Sequence, residues 1–147
     1  MQSFGKLDIL VLAAGIAAHS VFGNIEDMKI ARKIMDVNFM GTVLMTKHAL
    51  RPLRESKGQI VVIGSLSGSI PLSQRSLYCA SKSAVHGFFR SLQQEELDIR
   101  VSLMVPDSFT GSNFRKNSLL KADLEERNKQ PVEKIAEAIL KSADRRA

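Results

Sequence analysis

Three short apolar runs, separated by longer helical patterns, organise the 147-residue chain. The runs cover residues 7–12, 59–64 and 99–105. Each is nearly continuous rather than alternating, which is typical of strands covered on both faces in a parallel sheet. Apolar residues recur at helical spacing in residues 28–54, 74–97 and 132–143. This succession of strands and helices predicts an α/β fold with about three parallel strands and flanking helices.

Asn38 interrupts the apolar face of the pattern that covers residues 28–54. A mid-helix asparagine competes with the backbone for hydrogen bonds and usually has a structural or functional reason. The residues alone leave two interpretations open, a local kink with a satisfied amide or a polar role in a site. The helix is predicted to end near Gly58, because glycine suits a helix cap. Residues 16–27 carry turn residues and are predicted to form a loop.

Ser65, Tyr78 and Lys82 are the strongest candidates for chemistry. Ser65 follows the middle strand, and Tyr78 and Lys82 lie four residues apart on one face of the next helix. Lowering a phenol pKa from ~10 to about 7 requires ~4 kcal/mol. An ammonium about 4 Å away supplies on the order of 4 kcal/mol at an effective dielectric constant of ~20. The spacing therefore predicts an acidic phenol, with the Ser65 hydroxyl beside the oxygen that gains or loses the proton.

These residues resemble the short-chain dehydrogenase/reductase family, whose signature is a serine after a central strand and Y-x-x-x-K on the next helix. The segments IVVIGSLSG and LYCASKSAVHGFFRSL look like the hydroxysteroid-dehydrogenase-like branch. The resemblance implies a doubly wound, Rossmann-like parallel sheet and NAD- or NADP-dependent interconversion of an alcohol and a ketone or aldehyde, with a steroid- or lipid-like substrate among the options. It implies that Tyr78 is the general acid/base, that Lys82 lowers its pKa and holds the nicotinamide ribose, and that Ser65 polarises the substrate oxygen.

The resemblance extends to three further segments. Residues 37–42, VNFMGT, match a family stretch whose asparagine anchors a water in the proton relay, which implies this role for Asn38. Ala14 and Gly15 match the end of the family's D-x-L-V-N-N-A-G turn beside the cofactor, although leucine and alanine replace the two asparagines. Thr110 corresponds to the threonine that holds the nicotinamide carboxamide, one position earlier than in the family's P-G-x-x-x-T.

The family's strand–TGxxxGxG–helix unit does not occur in these 147 residues. Residues 1–147 are therefore expected to form a single incomplete domain without the N-terminal βαβ half, with an apolar sheet edge left unpaired. In the family, the helices that correspond to residues 28–54 and 74–97 often form a dimer interface, which implies a homo-oligomer. A catalytically inert truncated relative that acts through these helices is the alternative to an enzyme.

Composition narrows the classes of partner. The net charge of +6 is carried by dispersed basic residues, and only 5% of residues are aromatic, so solvated helix faces rather than a nucleic-acid site are expected. One cysteine excludes an internal disulfide. His19, His48 and His86 have no companions at metal-ligand spacing and are predicted to be interface or surface residues. No metal site is expected.

Several segments have a structural interpretation. The glycine-rich stretch 64–68 follows a strand, but its helix is delayed past Pro71, which argues against a phosphate loop. Residues 115–128 are charged and are predicted to form a helix resembling a substrate lid. Residues 1–6 do not look like a signal peptide, and no 18-residue apolar span is expected to cross a membrane within these 147 residues. Cytoplasmic localisation is the default expectation, with the endoplasmic reticulum membrane as the alternative if a longer form carries an anchor.

Overall fold

A three-stranded parallel sheet forms the centre of the protein in a computed structural model. The structure describes residues 5–107, 109–111, 113–114, 117–120 and 129–144, without the side chains of residues 109 and 110. The strands are β1 (Ile9–Leu12), β2 (Gln59–Ile63) and β3 (Arg100–Met104), in the order β1-β2-β3. Val61 of β2 pairs with Val11 of β1 and with Ser102 of β3. All three predicted strands are confirmed.

The helices lie between and after the strands. They are α1 (Lys29–Met35), α2 (Gly41–Ser56), α3 (Ser76–Glu95) and α4 (Val132–Asp144), and a π-helical turn over Asp36–Met40 joins α1 to α2. Short 3₁₀ turns cover Phe22–Asn24 and Leu66–Gly68, and a two-residue parallel pair is formed by β4 (Phe109–Thr110) and β5 (Gln130–Pro131). The predicted α/β class, with a parallel Rossmann-like sheet and flanking helices, is confirmed. The assignment of residues 1–147 to one incomplete domain stays a prediction.

The hydrophobic core lies between β2 and the helices α2 and α3. Leu53, Ile60, Val62 and Phe89 are completely buried, which explains the continuous apolar character of β2. The Phe88 and Phe89 rings meet edge to face with centroids 5.0 Å apart. Complete burial of a phenylalanine side chain contributes about 1.5–3 kcal/mol. The core therefore fixes α3, which carries the site residues, against the strand that delivers Ser65.

The end of α2 differs from the prediction in one residue. Lys57, not Gly58, adopts the left-handed conformation (φ 51°) and donates its N–H to the Arg54 carbonyl. Gly58 is required for another reason, because a Cβ there would lie 2.6 Å from the Asp8 carbonyl oxygen and 2.8 Å from a Leu53 methyl. The chain before β1 passes so close to position 58 that only glycine fits there. The left-handed cap therefore falls on Lys57, where this conformation costs roughly 1–2 kcal/mol for a non-glycine residue.

One edge of the described sheet is unpaired, as expected. Ile9 and Val11 of β1 are 41% and 48% exposed. A cavity of about 440 Å³ lies beside this edge, lined by the strand, by Ala14 and by α2 residues such as Thr42 and Met45. This apolar surface is the place where a further layer would pack.

The predicted charged helix at 115–128 lies largely outside the described residues, since 115–116 and 121–128 are not described. Residues 117–120 form turns and bends rather than a helix. The Leu119 N–H donates to the Ala17 carbonyl, and the Leu120 carbonyl accepts from the His19 N–H. Across the described ranges, none of the helices is both long and apolar enough to cross a membrane.

Candidate active site

Ser65 lies at the carboxyl end of β2, where the chain leaves the sheet. The Gly64 N–H still donates to Met104 of β3, and the Leu66 N–H donates to the Pro106 carbonyl. Ser65 is extended, and its Oγ accepts a hydrogen bond from the Ser67 N–H at 3.2 Å, which begins the 3₁₀ turn. A strand end in a parallel sheet is the usual place for a site in this type of fold.

Tyr78 and Lys82 face this strand end from the first two turns of α3. Both side chains are nearly completely buried, with 6% and 5% exposed. The Ser65 side chain lies near enough to the Tyr78 hydroxyl to lower the pKa of that phenol, against the larger effect of burial. The Lys82 Nζ donates to the Ile63 carbonyl at 2.9 Å and lies 6.0 Å from the centre of the Tyr78 ring. The three predicted residues therefore lie together at one strand end, with Tyr78 and Lys82 buried and Ser65 half-buried.

The pKa of Tyr78 shifts in the direction opposite to the one that the sequence predicts. Burial raises the pKa of Tyr78 above its usual value of 10, although the hydrogen bond from Ser65 and the charge of Arg75 act against this effect. Burial also lowers the pKa of Lys82 to about 8. Burial is the largest influence on the Tyr78 pKa and acts against the acidic phenol that the spacing predicts, and the catalytic roles of Ser65, Tyr78 and Lys82 stay predictions. The ammonium is bound to a backbone carbonyl of β2, and desolvation favours the neutral form of both groups.

Asn38 connects the π-helical turn to both sides of the site. Its side chain is completely buried. The amide forms two hydrogen bonds with the backbone of Ile16: Oδ1 accepts from the N–H at 2.8 Å, and Nδ2 donates to the carbonyl at 2.9 Å. Nδ2 also donates to the Ser81 Oγ at 3.0 Å. The amide is therefore satisfied by protein groups, and the helix departs from α geometry at this residue.

Gly15 lies at the meeting point of these elements. A Cβ added to it would be 3.4 Å from the Asn38 Oδ1 and 3.9 Å from the Lys82 Nζ. Ala14 is exposed and lines the cavity beside β1 instead. Thr110 lies in β4, and its side chain is outside the described residues. The structure thus brings Gly15 together with the polar cluster and leaves Ala14 at its margin.

Three residues of this region were not predicted as site residues. Ser81 is completely buried, accepts from Asn38 and donates to the Tyr78 carbonyl at 2.8 Å. Phe114 lies 6.0 Å from Tyr78 between ring centroids. His86 is 3% exposed and accepts a hydrogen bond from the Ser65 N–H. Ser81 and His86 could have been found from their helical spacing, whereas no pattern pointed to Phe114.

The histidine predictions are partly wrong. His48 is exposed, as predicted. His19 and His86 are buried, with 6% and 3% exposed, because each ring has a hydrogen-bond partner inside the protein. His19 contacts Ser118, and His86 contacts the turn after β2.

Comparison with known proteins agrees with this geometry. The family model for short chain dehydrogenase matches residues 1–123. The chain belongs to the short-chain dehydrogenase family. Its resemblance to the hydroxysteroid-dehydrogenase-like branch is confirmed by curated relatives of that name.

The relatives match this short-chain dehydrogenase over part of their own length. The 11-beta-hydroxysteroid dehydrogenase-like 3 of Arabidopsis thaliana is 36% identical over 99% of this chain and 47% of its own. The 11-beta-hydroxysteroid dehydrogenase A of Sesamum indicum is 44% identical over 72% of this chain and 31% of its own. The mouse dehydrogenase/reductase SDR family member 7B is 40% identical over 81% of this chain and 37% of its own. The chain therefore spans less than half the length of these relatives.

Solved structures share the fold. An alcohol dehydrogenase from the archaeon Thermococcus sibiricus, complexed with 5-hydroxy-NADP, superposes with a TM-score of 0.80 at 22% identity, over 92% of this chain and 56% of its own. ElxO with NADP bound superposes with a TM-score of 0.70 at 28% identity, over 77% of this chain and 47% of its own. At these identities the likeness concerns architecture first.

Proposed function

We propose that this short-chain dehydrogenase is an oxidoreductase that interconverts an alcohol and a ketone or aldehyde with NAD or NADP. The observation that carries the proposal is the convergence of buried Tyr78 and Lys82 on the carboxyl end of β2, where Lys82 donates to the Ile63 carbonyl and half-buried Ser65 acts on the pKa of Tyr78. Relatives named as hydroxysteroid dehydrogenases favour a steroid- or lipid-like alcohol or ketone as the substrate.

The residues present fit the nicotinamide-ribose end of such a cofactor. Lys82 is a buried ammonium with three N–H donors, and the Ile63 carbonyl accepts one of them. A ribose hydroxyl is a neutral acceptor of suitable size for another, and Gly15 leaves room beside the ammonium. Two superposed structures hold NADP-type cofactors. The pyrophosphate would need residues other than these, because no TGxxxGxG unit occurs in the sequence.

The proposed roles follow from position. The cofactor supplies or accepts the hydride. Tyr78 donates a proton to the carbonyl oxygen, or accepts it from the alcohol, and Ser65 hydrogen-bonds the same oxygen. Lys82 holds the ribose and supplies positive charge when the phenolate forms. Asn38 positions Ile16 and Ser81. A water of the proton relay would donate a hydrogen bond to the Asn38 Oδ1, which accepts one other bond, from the Ile16 N–H. Ala14, Gly15 and Thr110 would contact the cofactor, as the family resemblance implies.

The test is carbonyl reduction followed at the nicotinamide absorbance, with NADPH and with NADH. Tyr78→Phe keeps the ring and removes the hydroxyl, so we expect a loss of about 10²–10⁴-fold in kcat. Ser65→Ala should also lower kcat, whereas Ser73→Ala, at an exposed serine, should not. Equal rates for the wild-type chain and Tyr78→Phe would refute the assigned role of the phenol.

A second candidate has its own support. Met40, Leu44 and Met45 form an exposed apolar surface at the start of α2 and in the turn before it, with 41%, 53% and 56% exposed. Such a surface suits a catalytically inert relative that self-associates through this helix. Calorimetry with NADPH and NADH separates the two candidates, since micromolar affinity contradicts the inert one. Leu44→Glu should dissociate a homo-oligomer in light scattering if this surface forms the interface.

A further inference from the structure

The His86 ring is enclosed by the turn that carries Ser65. His86 lies one helical turn after Lys82 on α3 and is 3% exposed. A Cβ added to Gly64 would lie 2.5 Å from the His86 Nε2, and one added to Gly68 would lie 2.7 Å from its Cε1. The two glycines of the stretch 64–68 therefore form the walls of a pocket for an imidazole ring. This gives the glycine-rich stretch a physical purpose that is unrelated to phosphate.

The hydrogen bonds fix the protonation state of the ring. The Ser65 N–H lies 3.4 Å from Nε2, and the Ser69 Oγ lies 3.2 Å from Nδ1. A backbone N–H can only donate, so Nε2 must be the unprotonated, accepting nitrogen. Nδ1 then carries the proton and donates to the Ser69 hydroxyl. The ring thus binds the turn both where it leaves β2 and where it ends.

The surroundings of the ring also favour the neutral form. Burial lowers the pKa of His86 below 6.5, and the positive charges of Arg90 and Lys82 act in the same direction. Both cations lie on α3. The contacts that the turn after β2 makes with the ring come from Gly64, Ser65, Gly68 and Ser69, none of which carries a charge.

We infer that neutral His86 is the positioning residue for Ser65, because its ring holds both ends of the Ser65–Ser69 turn against α3. Protonation would place an N–H opposite the Ser65 N–H, and two donors cannot bond to each other. The turn would then move away from α3, and the Ser65 hydroxyl would move away from Tyr78. The expected effects on kcat rest on the proposed function. The binding of the Ser65–Ser69 turn by His86 does not depend on that function.

The kinetic test compares two substitutions of His86 in the full chain. His86→Gln keeps an acceptor near the Nε2 position and cannot titrate, whereas His86→Leu removes the acceptor. We expect His86→Leu to lower kcat by about 10²-fold with a much smaller change in KM, since misplacement of a reacting group by 1 Å has this effect. His86→Gln should stay within about fivefold of wild type, because one neutral hydrogen bond replaces another.

The pH profile separates positioning from general stability. The wild-type chain should lose kcat below pH 6.5 as His86 becomes protonated, and His86→Gln should lack this decline. His48→Gln, at an exposed histidine, should retain it. Equal losses in His86→Gln and His86→Leu, or an acid decline that persists in His86→Gln, would overturn the inference.

A second measurement does not depend on activity. The ¹⁵N NMR shifts of the His86 ring, assigned by their loss in His86→Gln, should show the Nδ1–H tautomer and titration below pH 6.5. Amide hydrogen exchange at Ser65 should be slow in the wild-type chain and fast in His86→Leu. An Nε2–H tautomer, or unchanged exchange, would refute the inference. If the wild-type chain does not reduce carbonyls while these signatures are present, the proposed function fails and the positioning of Ser65 stands.

Discussion

Lys82 is a buried cation. The free-energy cost of burying its charge should make the stability of the protein depend on pH. Its side chain is 5% exposed, and burial lowers its pKa from 10.5 to about 8. Between these two values the unfolded chain binds more protons than the folded one, so the free energy of unfolding rises with pH. With these pKa values the gain is about 2–3 kcal/mol between pH 7 and pH 10.

The assay is urea unfolding, followed by far-ultraviolet circular dichroism at pH 7, 8, 9 and 10. Lys82→Met keeps the length of the side chain and removes the titrating group. We expect the wild-type chain to gain about 2–3 kcal/mol relative to Lys82→Met across this range. Lys33→Met, at an exposed lysine, should show the same slope as the wild-type chain. Parallel pH curves for Lys82→Met and the wild-type chain would refute the reasoning.

Titration of Tyr78 limits the pH range of this measurement at its upper end, because it changes the free energy of unfolding in the opposite direction. Its pKa is raised above 10 in the folded state, so the unfolded chain loses its phenol proton first. The free energy of unfolding therefore falls as pH rises beyond 10. Tyr78→Phe should remove this decline and leave the gain between pH 7 and pH 10 in place.

Two further predictions concern the positions that fix the site to the fold. Asn38→Leu leaves the backbone groups of Ile16 without their partners and should lower the free energy of unfolding by about 3 kcal/mol in urea, whereas Asn24→Leu, at an exposed position, should change it little. Gly58→Ala places a methyl group 2.6 Å from a backbone carbonyl oxygen and should cost about 1–3 kcal/mol, whereas Gly23→Ala meets nothing within 4 Å. Equal effects in either pair would contradict the packing argument.

The parts of this fold that depend on local pattern could be predicted from the sequence. Continuous apolar runs located β1, β2 and β3, and helical spacing located α3 with Tyr78 and Lys82 on one face. The position of Ser65 could be predicted because it directly follows β2. In a parallel α/β sheet the functional site lies at the carboxyl ends of the strands.

The parts that depend on close approach between distant segments could not be predicted. The αL conformation of Lys57 follows from the contact of Gly58 with Asp8, which lies 50 residues earlier in the chain. The burial of His86 follows from the two glycines that enclose it after the turn has folded. Patterns of polarity give no measure of such distances, so a buried histidine and a surface histidine look alike in sequence.

The direction of the Tyr78 shift shows why spacing alone is insufficient for electrostatics. An i,i+4 pair guarantees a shared helical face, but the Lys82 Nζ is hydrogen-bonded to the Ile63 carbonyl and lies 6.0 Å from the centre of the Tyr78 ring. A nearby ammonium can stabilise a phenolate through its positive charge. This help exists only while Lys82 is charged. With a pKa of about 8, the charged form predominates about tenfold at pH 7 and is the minor form at pH 9. Raising the pH therefore removes the cation that phenolate formation needs, so the burial that brings both groups to the strand end also confines their cooperation to pH values below about 8.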